Sequence, residues 1–188
     1  MLDGQGVIFD SPIKQFLARF ASAHRVDYED IERKWETRLR ELAWRGQVSD
    51  EQLWHELAGR PVDARQIMLW LRTMYRPGPA ERYLAGWAKI VPIWMLSNHR
   101  SAWLLPRLES RGLTQVLDKI LISDRTGFIK PEPEAFELLL EGKRVARDIL
   151  FVDDQLHNVE AAESLGCRVV LAASGQPWLD RVNVALGA

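Results

Sequence analysis

The sequence predicts an α/β fold: a parallel sheet flanked by helices, with a purely helical segment inserted into it. Three observations carry the prediction. Beyond residue 90, short apolar runs alternate with helical stretches, the pattern of strands and crossover helices in a parallel sheet. Residues 11–90 read as helices only, polar on one side and apolar on the other, as in a small bundle. The apolar run 149–152 ends in two adjacent acids, Asp153 and Asp154, and a helix follows at once. Two acids at the end of a buried strand are unfavourable unless something pairs them. In an open α/β sheet, the carboxyl ends of the strands are where ligands bind.

Composition narrows the function classes. The chain has 188 residues, one domain or a domain with a sizeable insertion, and is 47% apolar, enough for a real core. Its 25 basic and 26 acidic residues leave a net charge of −1, with no basic patch to argue for nucleic acid. The single cysteine, Cys167, excludes an internal disulfide and suits a reducing compartment. It opens an apolar strand and reads as a packed, inert thiol. The longest apolar run, 90–96, is too short to cross a membrane. No charged stretch followed by an apolar one stands at the N-terminus, so no signal peptide and a cytoplasmic location are expected. The eight tryptophans fall mostly in helical stretches, where core packing explains them.

The elements follow in order. Ser11 and Pro12 start a helix, as a cap and then a proline at the first helical position, with Ile13, Phe16, Leu17 and Phe20 at helical spacing. Asp27 or Asp30 opens the next, with Ile31, Trp35, Leu39 and Leu42 along one stripe. Ser49 and Gln52 form a capping box before Leu53 and Trp54. Residues 62–74 and 79–90 are two more helices. Residues 91–96 then form a strand and 102–111 a helix kinked by Pro106. Strand 120–122, helix 132–142, strand 149–152, helix 158–165 and strand 168–172 complete the alternation.

Polar residues stand at three consecutive strand ends. Ser97 and Asn98 follow the first strand; they can bond an anionic oxygen or simply cap the next helix. Lys130, before Pro131, follows the second; it can reach a phosphate, neutralise carboxylates or lie solvated on the surface. Asp153 and Asp154 follow the third and suggest a divalent cation with oxygen ligands. Mg²⁺ fits, since it usually takes only one or two protein carboxylates; the alternative is a helix cap with a spare acid. Delivery of Ser97, Lys130 and Asp154 to one edge is more specific than any of the three alone.

The order Ser, then Lys-Pro, then Asp-Asp resembles the haloacid dehalogenase-like hydrolase superfamily, with Ser97, Lys130 and Asp153-Asp154 at its second, third and fourth motifs. The resemblance runs almost continuously over residues 91–172. It implies a Rossmann-like core from 1–11 and 89–188 and a helical cap over 12–88. The first motif can be laid along residues 3–11 without a gap, with Asp3 as nucleophile. Two departures stand out: Gln5 replaces the second aspartate of the family's phosphatases, and only Met1 and Leu2 precede Asp3 where the family has a strand. A second register takes residues 6–9 as the strand and Asp10 as nucleophile, but loses the glycine and everything after it; the first is preferred.

The resemblance implies a chemistry. Asp3 attacks phosphorus and forms an aspartyl-phosphate. Mg²⁺ binds the Asp3 carboxylate, the Gln5 main-chain carbonyl and Asp154, with Asp153 acting directly or through water. Ser97, Asn98 and Lys130 hold the phosphoryl oxygens. The amide of Gln5 has no proton to give a leaving group, so turnover of a small phosphorylated metabolite is slow. Two alternatives remain: a metal-independent dehalogenase, against which the paired acids speak, and a catalytically degenerate binding domain, which Gln5 and the short first strand favour.

Overall fold

Residues 1–3 lie in the middle of the sheet. Leu2 forms parallel bridges to Met95 on one side and Val152 on the other. The Leu2 N–H donates to the Trp94 carbonyl and the Asp3 N–H to that of Val152, both at 2.8 Å. A segment too short to read as a strand therefore fills a strand's place, because both neighbours supply hydrogen bonds. The computed structural model describes residues 1–10, 12–140, 146–173 and 177–187.

Strand β1 (Phe9–Asp10) pairs antiparallel with β2 (Arg76–Pro77). This pair corrects the helix-only reading of residues 11–90, since β2 lies inside that segment. Chain departs from the sheet at β1 and returns at β2. A Cβ on Gly78 would sit 2.6 Å from the Ile8 carbonyl carbon and the Phe9 nitrogen, so glycine is required where the returning backbone touches the departing one.

The helices between them are α1 (Ile13–His24), α2 (Tyr28–Lys34), a π-helical turn (Trp35–Leu39), α3 (Arg40–Trp44), α4 (Asp50–Ala58) and α5 (Ala64–Met74). Ser11, read as the first cap, lies outside the described residues. Asp27 rather than Asp30 caps α2, accepting from the Glu29 N–H at 3.4 Å. The capping box of α4 is present: Ser49 Oγ accepts from the Gln52 N–H at 3.1 Å, and Gln52 Oε1 from the Ser49 N–H at 3.0 Å. The helix expected over 79–90 shrinks to a 3₁₀ turn (Glu81–Tyr83) and α6 (Leu84–Trp87). Its first residues are diverted, because the Gly78 and Ala80 N–H groups donate to the Ile8 and Val7 carbonyls, both at 2.9 Å.

In the second half, β3 (Trp94–Ser97) pairs in parallel with β4 (Lys119–Ile122), and β5 (Leu150–Asp153) with β6 (Arg168–Leu171). With Leu2 between β3 and β5, the order across the sheet is β4, β3, residues 1–3, β5, β6. Helices α7 (Ser101–Ser110), α8 (Ser123–Thr126), α9 (Pro133–Leu140), α10 (Leu156–Ser164) and α11 (Trp178–Leu186) complete the fold. Residues 141 and 142 of the expected helix lie outside the described residues, and α11 was not read from the sequence. Helix α7 runs through Pro106. The proline cannot donate to the Ala102 carbonyl, which accepts instead from Arg72 Nη2 at 2.9 Å.

One buried cluster joins the inserted helices to the sheet. Trp54 of α4 and Trp103 of α7 stack with centroids 5.5 Å apart, and Trp103 Nε1 donates to Asp50 Oδ1 at 2.8 Å. Six of the eight tryptophans are buried, as core packing requires, and so is Cys167. Among the described residues, no helix is long and apolar enough to cross a membrane.

Candidate active site

Parallel strands point their carboxyl ends the same way, so their terminal side chains share one edge. Asp3 follows Leu2, Ser97 ends β3 and Asp153 ends β5. Lys130 reaches in from the loop before α9. Its Nζ donates to Asp3 Oδ1 at 2.7 Å and to Asp153 Oδ2 at 2.6 Å, and all three residues are buried. Asn98 holds the lysine's main chain: the Lys130 N–H donates to Asn98 Oδ1, and Asn98 Nδ2 donates to the Lys130 carbonyl, both at 2.8 Å.

One ammonium between two buried carboxylates cannot satisfy both fully. Burial pushes the Asp3 carboxyl up to about 7; Lys130 opposes this and Asp153 adds to it. Burial pulls the Lys130 ammonium down, but Asp3 and Asp153 outweigh that and hold it above the usual lysine range. Lys130 therefore stays charged, while proton affinity collects on Asp3.

Asp153 is saturated by protein donors. Beyond Lys130, its Oδ1 accepts from the Gln155 N–H at 2.9 Å, and Asn158 Nδ2 bonds both oxygens at 3.1 and 3.2 Å. Asp154 is exposed at the site's mouth, and burial followed by the Asp153 charge raises its carboxyl. Oxygens of Asp3, Asp153 and Asp154 lie within 4.8 Å of one another, a cluster able to hold a metal ion. Hard carboxylate oxygens at this density suit Mg²⁺, and the raised Asp3 and Asp154 carboxyls are what a cation would relieve. Gly6, at φ 79°, makes room: a Cβ there would lie 2.3 Å from Asp154 Oδ2.

Ser97 Oγ is buried without a hydrogen-bond partner. A Cβ on Gly4, the residue after Asp3, would lie 2.7 Å from it. A hydroxyl left orphaned beside a candidate nucleophile is a place for a ligand oxygen. Asp10 is exposed on β1 and borders a different depression, with Arg82 and Arg111. The structure thus brings Asp3, and not Asp10, to Lys130 and the paired acids.

Above this floor lies a cavity of about 350 Å³. Asp3, Gln5, Asn98 and Lys130 line it below, and Lys14, Trp35, Glu36, Arg40, Glu41 and Trp44 line it from the inserted helices. Sequence reasoning missed these roof residues. For the roof residues at and just after the π-helical turn, its i to i+5 pattern explains the miss, because it breaks the 3.6-residue phase by which a helix face is read; Lys14 stands in α1, outside it. Asn158 was also missed as a site residue, although it lies in the first turn of α10, just after the acids.

A family model described as haloacid dehalogenase-like hydrolase matches residues 8–166. Asp3 and Gln5 precede the matched span. The chain is 29% identical over 113 residues to a D-ribitol-5-phosphate phosphatase of Bacteroides thetaiotaomicron, covering 56% of this chain and 55% of that protein. It is 25% identical over 114 residues to a phosphoglycolate phosphatase of Escherichia coli, covering 60% and 45%. The chain thus spans about half the length of these curated relatives. A solved HAD-family enzyme of Bacteroides thetaiotaomicron matches with TM-score 0.80 and 20% identity, covering 96% of both chains, a likeness of fold.

Proposed function

The chain belongs to the haloacid dehalogenase-like hydrolase family, and from that premise we propose that it is a Mg²⁺-dependent, phosphatase-type hydrolase of a small phosphorylated metabolite. The observation that carries the reading is the orphaned Ser97 Oγ beside an Asp3 whose carboxylate is held by Lys130 at 2.7 Å. The phosphatase names of two relatives agree with it. Residues 12–88 act in this reading as the cap over the site.

Asp3 Oδ attacks phosphorus as the ester bond breaks, and the electron pair leaves with the substrate oxygen. Water then attacks the phosphorus of the aspartyl-phosphate, releasing inorganic phosphate and restoring Asp3. Asp3, Asp154 and the Gln5 carbonyl would hold Mg²⁺, which would supply charge neutralisation to the phosphoryl oxygens, with Asp153 supporting from behind. Ser97 Oγ and Lys130 Nζ donate to those oxygens, and Asn98 fixes the main chain that carries Lys130. Asn158 and Lys130 hold Asp153 oriented.

Gln5 lines the cavity where a proton donor to the leaving group belongs. Its amide gives no proton at neutral pH, so the reading implies slow turnover except of good leaving groups such as acyl phosphates. The same residue favours a second reading, a binding domain without turnover. One variant separates them. Gln5→Asp is expected to raise turnover of an aryl phosphate in Mg²⁺ by about tenfold or more, and that of an alkyl phosphate further, within the usual range of general-acid assistance. Asp3→Asn in that background is expected to remove the gain. A Gln5→Asp protein that binds Mg²⁺ yet stays inactive on both esters would favour the binding domain.

A further inference from the structure

We propose that the cavity above Asp3 takes phosphate monoesters whose remaining part is a neutral, hydroxylated chain, and discriminates against those carrying a second carboxylate. The proposal rests on the phosphatase reading and names the substrate class of that same site.

Charge balance is the first reason. Every lysine and arginine lining the cavity, among the described residues, already has a carboxylate partner. Lys130 has Asp3 and Asp153, Arg40 is paired with Glu36 one turn earlier, and Lys14 lies 3.9 Å from Glu32. The fourth charged roof residue, Glu41, accepts from Arg45 Nε at 2.9 Å. The roof is thus electrically compensated, whereas the floor carries three acids against one lysine. A phosphate finds its counter-charge at the floor, with Lys130 and a bound cation. A second carboxylate finds none above it. An ionised carboxylate only accepts hydrogen bonds, and at Arg40 it meets a guanidinium whose charge Glu36 already offsets, so it gains less there than beside an uncompensated cation and is repelled by Glu36 itself.

The donor and acceptor inventory is the second reason. A hydroxyl both donates and accepts, so it can bond Glu36 and Arg40 together without breaking their pair. The neutral amides of Gln5, Asn98 and Gln155 line the same cavity. Trp35 and Trp44, edge-on at 5.4 Å, add apolar walls for the carbon–hydrogen faces of such a chain. A volume of about 350 Å³ suits a small ester.

Two esters of one carbon skeleton test the idea: glycerol phosphate and phosphoglycerate, both esterified at the primary hydroxyl, which differ only in a terminal hydroxymethyl or carboxylate. They are compared in Mg²⁺ at about pH 8, above the ordinary imidazole range. The comparison uses kcat/KM if the esters turn over and Kd from titration calorimetry if they do not. Glycerol phosphate is expected to be favoured by about tenfold or more, and Glu36→Gln, which frees Arg40, to shrink that ratio by about tenfold, equivalent to one charge-assisted hydrogen bond. Equal or better use of phosphoglycerate, or a ratio unmoved by Glu36→Gln, overturns the proposal. Acetyl phosphate separates the two claims. If it is hydrolysed while phosphoglycerate is preferred, only the substrate class falls. If it is not hydrolysed and neither ester binds, both fall. If it is not hydrolysed but glycerol phosphate binds better, the substrate class stands and the phosphatase reading falls.

Discussion

Removing the Asp3 charge should change how stability depends on pH. Asp3 is buried beside Asp153, and its carboxyl in the folded protein is pushed up to about 7 from 3.8. The unfolded chain gives up this proton near 3.8, and the folded chain keeps it to about 7. Between those values the folded state binds the extra proton, so the group's stability contribution is fully present below 3.8 and is lost as pH rises through about 7. At about 1.4 kcal/mol per pH unit, the full loss is of order 4 kcal/mol. The part that falls between about pH 5 and pH 8 is of order 3 kcal/mol. The assay is urea unfolding of wild type and Asp3→Asn at both pH values with EDTA present. Wild type should lose about 3 kcal/mol more than the variant over that interval. Saturating Mg²⁺ should flatten the wild-type slope, because a cation at Asp3 favours the charged form. If metal-free wild type holds or gains stability relative to Asp3→Asn as pH rises, the Lys130 charge outweighs burial and Asp3 is ionised at pH 5.

Three further outcomes are expected. Asp154→Asn should abolish Mg²⁺ binding in titration calorimetry and Asp10→Asn should leave it nearly intact, since Asp10 is exposed on β1 away from the acid cluster; the reverse order would make Asp10 the nucleophile. Arg45 bonds Glu132 with two nitrogens, and its Nη1 also donates to the Gly127 carbonyl at 3.1 Å, tying the end of α3 to the loop that carries Lys130. Arg45→Met should cost about 1–2 kcal/mol in urea unfolding, and a double-mutant cycle with Glu132→Gln should show coupling; additive effects would deny the tie. Trp103→Ala should cost about 3–5 kcal/mol, because its indole is fully buried between helices of both halves of the chain, and a loss below about 1 kcal/mol would mean that the two halves do not share a core.

Much of the site is local chemistry and is legible as such. Ser97, Lys130 and Asp153-Asp154 each close or follow an apolar run of strand length, and parallel strands gather their carboxyl ends by geometry alone. The capping box at Ser49 and the break to alternating strands near residue 90 are equally local. Residues 1–3 are not: a pattern of alternation needs more than one bridging residue, and Leu2 becomes part of the sheet only because β3 and β5 leave a gap with hydrogen bonds on both sides. That Asp3 and not Asp10 meets Lys130, at 2.7 Å, is decided the same way. β2, two residues long, depends on partners far earlier in the chain, Phe9↔Pro77 being 68 apart and Asp10↔Arg76 being 66. The cavity roof depends on a π-helical turn that shifts the helical phase, and on packing that turns Trp35 and Arg40 toward a floor built from the other half of the chain. The sequence by itself determined the fold class and the residue types at the strand ends, because these follow from neighbours along the chain. Tertiary structure alone decided which aspartate meets the lysine and what lines the cavity above it, because those contacts join segments that only folding brings together.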